Sequence, residues 1–259
     1  MLSYQHHYHA GNLADVHKHA VLAWTLDYLT RKDKPLTYME SHAGRGLYDL
    51  DAPEAVKTGE AAKGIMAAKA WFPAGHPYAR AIEKTRAERG LGAYPGSPLI
   101  AGHLLRDTDT IHLCELHPQE HAALAYATSP FGAHVYREDG LAKALSILPP
   151  TPRRGMLLID PSYEVKTDYE DIPRIIGQIA RKWNVGVIML WYPILSDAPH
   201  RVMLNMLRQD HPDAVVHEVR FPPAREGHRM VGSGLFIINA PYGIDAELKR
   251  LSGRFKALD

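Results

Sequence analysis

The amino-acid sequence predicts an α/β protein built on a seven-stranded, mostly parallel sheet with an antiparallel last strand and a helical insertion. Three observations predict it. Short apolar runs of strand character alternate with helical patterns along most of the chain, the signature of βα units around a parallel sheet. The last two strand-like runs, 214–221 and 235–239, have no helix between them and so pair as antiparallel neighbours. Four loops carrying glycines or carboxylates each follow a strand, so they meet at the edge where open α/β sheets bind ligands.

In chain order, Asn12 to Leu29 reads as a helix that is apolar over much of its surface, hence mostly buried. Leu36 to Glu40 is the first strand, running into the turn Ser41-His42-Ala43-Gly44-Arg45-Gly46. Residues 50–93 interrupt the alternation with Ala-rich helical patterns over Ala55 to Phe72 and Tyr78 to Arg89, read as a helical insertion within a single domain spanning 1–259. A helix begins at Pro98, for which Ser97 is a suitable N-cap. Then the alternation is regular. Strands are expected at Ile111 to Leu116, His134 to Arg137, Gly155 to Ile159 and Val185 to Leu190. Helices are expected at Gln119 to Thr128, Leu141 to Leu148, Asp171 to Trp183 and Ala198 to Gln209, with a small last one at Asp245 to Leu251.

The bulk composition excludes several classes. No apolar run approaches the ~18 residues of a membrane span. The segment Met1 to His19 is too polar and His-rich for a signal peptide. The single cysteine, Cys114, forms no internal disulfide, and a cytoplasmic monomer is expected. The formal net charge is +1, so a nucleic-acid partner requires a local basic patch.

The chemistry is carried by the loops. Asp160-Pro161-Ser162-Tyr163 follows the buried strand Gly155 to Ile159. It sets a carboxylate, a rigid turn and an aromatic ring together. The carboxylate and a turn carbonyl can accept hydrogen bonds from an exocyclic amino group, and the ring can stack on a base. The glycine turn at 44–46 allows close approach of a ligand or is a plain tight turn. Glu115 ends its strand where an acid accepts ribose hydroxyls, or is a solvated carboxylate. Asp139, before Gly140, takes the amino group of an adenine or caps the helix at Leu141, and both can hold, with Gly140 leaving room beside it. Together these loops match a nucleotide-type cofactor. Gly46 is followed by Leu47, Tyr48 and Asp49 without the third glycine of a dinucleotide fingerprint, which favours S-adenosylmethionine over NAD and a Rossmann-like methyltransferase fold.

The remaining polar residues are ambiguous. His6, His7, His9, His17 and His19 lack the cysteine or spaced carboxylates of a zinc set, so no metal is expected. Trp191-Tyr192-Pro193, ending the fifth strand, flanks a base pocket or is core. Arg225, His228 and Arg229 suit phosphate contacts or a solvated loop, whereas Arg153 and Arg154 belong at the opposite edge.

The motifs as a set resemble the RlmJ family, whose members methylate N6 of an adenine in bacterial 23S rRNA and were formerly linked to use of external DNA. The match runs through Met1-Leu2-Ser3-Tyr4, His9-Ala10-Gly11-Asn12, Lys18-His19, Thr58-Gly59-Glu60 and Tyr94-Pro95-Gly96-Ser97-Pro98. It continues through Glu115-Leu116-His117-Pro118, Asp139-Gly140, Asp160 to Glu164, Lys166-Thr167-Asp168-Tyr169, Trp191-Tyr192-Pro193 and Gly232-Ser233-Gly234. The resemblance implies an S-adenosylmethionine site lined by His19, His42, Ser97, Glu115, Asp139 and Gly140, with Gly44 and Lys18 close by. It implies Asp160 as catalytic acceptor beside the cofactor, with Pro161 and Tyr163, and Tyr4 touching the RNA. Ser162 departs from the family's usual second proline, which loosens the turn or adds a hydroxyl contact. The competing readings are a DNA adenine-N6 methyltransferase and a non-catalytic nucleic-acid-binding protein.

Overall fold

The computed structural model describes residues 8–225 and 227–258. The chain enters with α1 (Leu13–Thr30), β1 (Thr37–Glu40) and β2 (Leu47–Asp49), then α2 (Pro53–Thr58) and α3 (Pro77–Arg89). Next come β3 (Ala93–Pro95), α4 (Ser97–Leu104), β4 (Thr110–Cys114), α5 (Pro118–Thr128), β5 (His134–Tyr136) and α6 (Gly140–Ile147). The second half runs β6 (Gly155–Ile159), α7 (Asp168–Lys182), β7 (Val187–Leu195), α8 (His200–Asp210), β8 (Val215–Arg220), β9 (Met230–Ile238) and α9 (Ile244–Lys256).

Seven strands form the main sheet in the order β5-β4-β1-β6-β7-β9-β8. All pairs from β5 to β7 are parallel, and β9 runs antiparallel to both β7 and β8. The strand pleat sends alternate side chains to two cores. Tyr38, Leu113, Met156, Leu158 and Met189 join the helices α1, α4 and α9 on one face. Met39, Cys114, Leu157, Ile159, Ile188 and Leu190 meet α6, α7 and α8 on the other. Strands buried on both faces explain why these segments read as continuous apolar runs.

Four features differ from the sequence expectation. The helix expected over 55–72 breaks into α2, a π turn at Ala62–Met66 and a 3-10 turn at Lys69–Trp71. Gly59 stops α2 in a left-handed conformation (φ 65°), and Gly64 leaves helical geometry where a Cβ would stand 2.0 Å from the Gly11 carbonyl oxygen. Ser97 is not the cap of α4. Gly96 holds that position, and the Ser97 hydroxyl instead donates to Glu40 Oε2 at 2.8 Å. β7 and β9 are longer than their apolar cores, reaching Leu195 and starting at Met230, because they pair with each other beyond the end of β6. Finally, β2 and β3 form a separate two-stranded antiparallel ribbon that the sequence pattern did not reveal.

Candidate active site

Each parallel strand ends at the same edge, and the loops that follow build one cavity of about 430 Å³. That size lies within the range of small-molecule sites. Lys18, His19, His42, Gly44, Ser97, Glu115, Asp139, Gly140, Asp160, Pro161 and Tyr163 all line it. Tyr4 lies outside the described residues.

α1 delivers two of these side chains from its first turns. Asn12 caps the helix by accepting from the Asp15 amide at 2.9 Å and donates to Glu60 Oε2 at 3.1 Å. Asp15 and Lys18 sit three residues apart on one face of α1, and Lys18 Nζ lies 3.1 Å from Asp15 Oδ1. Lys18 Nζ also donates to Asp160 Oδ2 at 2.5 Å. Burial works against the ammonium, but the Asp160 and Asp15 carboxylates outweigh it and hold Lys18 well above its ordinary pKa. His19, on the next position, bonds through Nδ1 to the Tyr94 hydroxyl at 2.8 Å.

The loop after β1 is held by acids. The Gly44 amide donates to Glu115 Oε2 at 2.9 Å, and the His117 amide donates to Oε1 at 2.8 Å. Glu115 thus ties the end of β4 to the glycine turn rather than standing as a free solvated carboxylate. Arg45 grips Glu120 through two bonds of 2.9 and 2.7 Å. Ser41 Oγ lies 2.8 Å from His42 Nδ1, and burial lowers the His42 pKa against the pull of Asp160 and Asp139. Asp139 caps α6 by accepting from the Ala142 amide at 2.8 Å. Gly140 packs directly under this loop: a Cβ there would stand 1.8 Å from the Ser41 carbonyl oxygen. The glycine is required by backbone approach, a tighter constraint than room for a ligand.

Beyond β6, Tyr163 adopts a left-handed conformation (φ 55°), an uncommon one for a bulky residue and one that clusters at functional sites. Its hydroxyl donates to the Trp191 carbonyl at 2.8 Å, and its ring stacks on Tyr169 with centroids 4.7 Å apart. Ser162 is exposed.

The sequence reading missed two acids here. Asp15, which the family resemblance includes in Ala14-Asp15-Val16 without a site role, completes the ion cluster from one turn before Lys18. Glu40, fully buried at the end of β1, accepts from the Tyr38 hydroxyl at 2.6 Å and the Ser97 hydroxyl at 2.8 Å. Burial pushes the Glu40 carboxyl up to about 8 despite both hydroxyls favouring the anion. Trp191 and His228 line the cavity, whereas Arg229 is paired with Asp197.

The family model described as ribosomal RNA large subunit methyltransferase D, RlmJ, matches residues 33–256. The chain belongs to the RlmJ family. Ribosomal RNA large subunit methyltransferase J of Escherichia coli is 36% identical over 258 residues, covering 97% of this chain and 91% of that protein. The enzyme of the same name from Haemophilus influenzae is 35% identical over 259 residues, covering 97% and 92%. A crystal structure of a Legionella pneumophila protein superposes with a TM-score of 0.85 at 38% identity, covering 96% of this chain and 94% of that one. The RlmJ match extends over the loops of the cavity and over the ribbon and helices between β1 and β4. Among the described residues, no helix is long and apolar enough to cross a membrane.

Proposed function

We propose that this protein transfers a methyl group from S-adenosylmethionine to N6 of an adenine in 23S rRNA, with Asp160 accepting a hydrogen bond from the adenine amino group. The observation that carries this reading is the Lys18–Asp160 contact at 2.5 Å on the cavity wall. It occupies Asp160 Oδ2 and aims the carboxylate, leaving Oδ1 for the substrate. Lys18, kept protonated by two carboxylates, orients Asp160 and cannot itself remove a proton.

The residues suit the cofactor. Gly44, with φ 62°, brings backbone to the cavity wall, and Glu115 beside it retains acceptor capacity for ribose hydroxyls. His19, His42, Ser97, Asp139 and Gly140 would complete the cofactor wall. When bound, S-adenosylmethionine supplies an electrophilic methyl group. The chain's part is positioning. Asp160 and the Pro161 carbonyl accept the two N–H bonds of N6, which favours a nitrogen lone pair directed out of the ring plane, and the proton that N6 sheds on methylation would pass along the hydrogen bond to Asp160 and on to solvent. Tyr169 covers one face of Tyr163, so the other face is the one offered to the extruded base, worth about 1–3 kcal/mol of stacking. Holding both reactants in line is the main source of rate. With ribosomal RNA as substrate, the setting we infer for this chemistry is the cytoplasm.

The test is transfer of label from S-adenosylmethionine to unmodified 23S rRNA and to matched RNA and DNA hairpins. N6-methyladenine in RNA, reduced on the order of 10²-fold or more in Asp160→Ala, is the expected result. Near-normal turnover in that variant would overturn the role of Asp160. Preference for the DNA hairpin would overturn the RNA substrate, and cofactor binding without transfer would point to a binding protein.

A further inference from the structure

A chain of buried polar groups lies behind the cavity and ends on one of its walls. The Trp191 indole Nε1–H donates to Ser233 Oγ on β9 at 2.9 Å. Ser233 Oγ also lies 2.9 Å from His17 Nδ1 on α1. His17 Nε2 is 2.8 Å from His217 Nδ1 on β8, and His217 Nε2 is 2.8 Å from Ser252 Oγ on α9. His17 and Ser233 are fully buried.

The hydrogens of this chain run in one direction. Indole can only donate, so Ser233 accepts from it, and giving its own hydroxyl hydrogen to His17 Nδ1 is the arrangement that leaves this buried hydroxyl hydrogen with an acceptor. The His17 proton is then on Nε2 and is donated to His217 Nδ1. The His217 proton is likewise on Nε2 and is donated to Ser252. In that arrangement each imidazole carries a single proton and both are neutral. Burial lowers the pKa of each, which keeps them so.

The far end of the chain bears on the site. The Trp191 carbonyl accepts from the Tyr163 hydroxyl at 2.8 Å, and Lys18 Nζ lies 5.4 Å from the indole centroid. Trp191 therefore touches both the base platform and the lysine that aims Asp160. We propose that Ser233, His17 and His217 are positioning residues for methyl transfer: their polarised chain fixes the Trp191 indole as a wall of the acceptor pocket, against which Lys18 and Tyr163 are set. This rests on the reading of Asp160 as the group that holds the acceptor.

The test joins a double-mutant cycle to NMR. Trp191→Phe keeps an aromatic ring and loses the N–H, and Ser233→Ala removes its acceptor. Single-turnover transfer to 23S rRNA at saturating S-adenosylmethionine should slow on the order of 10-fold in each variant, as for loss of one buried hydrogen bond. The double variant should be no slower than the slower single one, and cofactor affinity by calorimetry should change less than about twofold. In the wild type, nitrogen-15 spectra should show Nε2–H tautomers for His17 and His217 and a Trp191 indole proton protected from exchange. That protection should vanish in Ser233→Ala. Multiplicative rate losses in the double variant, unchanged rates in both singles, or an Nδ1–H tautomer on His17 would each overturn the proposal. Failure of the underlying reading shows separately, as wild-type protein that makes no N6-methyladenine, and the tautomers then still decide the chain.

Discussion

Gly140 and Gly253 are both helical glycines with opposite reasons for being there. A Cβ on Gly140 would enter the Ser41 carbonyl oxygen at 1.8 Å, and neither partner is a flexible side-chain tip. Gly140→Ala must separate the start of α6 from the loop after β1. We expect it to cost about 1–3 kcal/mol of unfolding free energy, as overpacking does. Calorimetry should also show weaker S-adenosylmethionine binding, because His42 and Gly44 ride on the displaced loop. Gly253, exposed in α9, has open space within 4 Å of where a methyl would stand. Gly253→Ala should raise stability by about 0.5–1 kcal/mol through helix propensity alone, with cofactor affinity unchanged. Equal effects of the two substitutions on urea midpoints would show that the Ser41 contact is not the constraint.

At the scale of elements, what the sequence revealed follows from how local its signals are. β6 and the loop at Asp160 were legible because five consecutive residues of strand character end abruptly in Asp-Pro, so boundary and chemistry share one stretch. α1 was legible for the same reason, and Asn12 stands at its start as cap. Contacts between distant elements left no such trace. Ser97 has the hydroxyl of a helix cap and stands directly before Pro98, yet Gly96 takes the cap position and Ser97 serves Glu40, 57 residues away. The His17–Ser233 bond joins residues 216 apart, and nothing in either segment announces the other. The cap itself yields a prediction. Asn12→Ala removes the acceptor for the Asp15 amide and the donor to Glu60, at the head of the helix that carries Lys18. It should cost about 1 kcal/mol in urea unfolding and slow methyl transfer. Asn12→Ser, which restores a capping oxygen alone, should recover most of the stability. If serine is no better than alanine, the bond to Glu60 rather than the cap holds the start of α1.

At the scale of the whole molecule, buried titrating groups set how stability depends on pH. Among the described residues, burial lowers the pKa of seven histidines: His17, His42, His103, His112, His200, His211 and His217, with His112 reaching about 4. A group depressed in the folded state contributes stability above its unfolded pKa and loses it as pH falls. Below about pH 6.5 the unfolded chain therefore takes up protons that the native histidines refuse. Glu247 and Glu60 act in the same sense at lower pH. Burial raises them, but hydrogen bonds from Arg250 and His9 outweigh it and leave both below the usual carboxylate value. Glu40 acts oppositely. Its folded pKa of about 8 gives stability that is fully present below its unfolded value and lost as pH rises through about 8. Between its unfolded value and about 8 Glu40 therefore opposes the histidines: it makes stability fall as pH rises above neutral and offsets one of the seven imidazoles on the acid limb, which puts the maximum near neutral pH. Each net proton contributes about 1.4 kcal/mol per pH unit to that limb. Urea midpoints measured from about pH 8.5 down to about pH 5 should rise slightly and then fall. The fall should become shallower in His17→Gln or His217→Gln, each of which removes one titrating group from the acid limb. A midpoint that stays constant from neutral pH to about pH 5 would mean that these histidines titrate alike in both states, and that burial does not keep the chain behind Trp191 neutral.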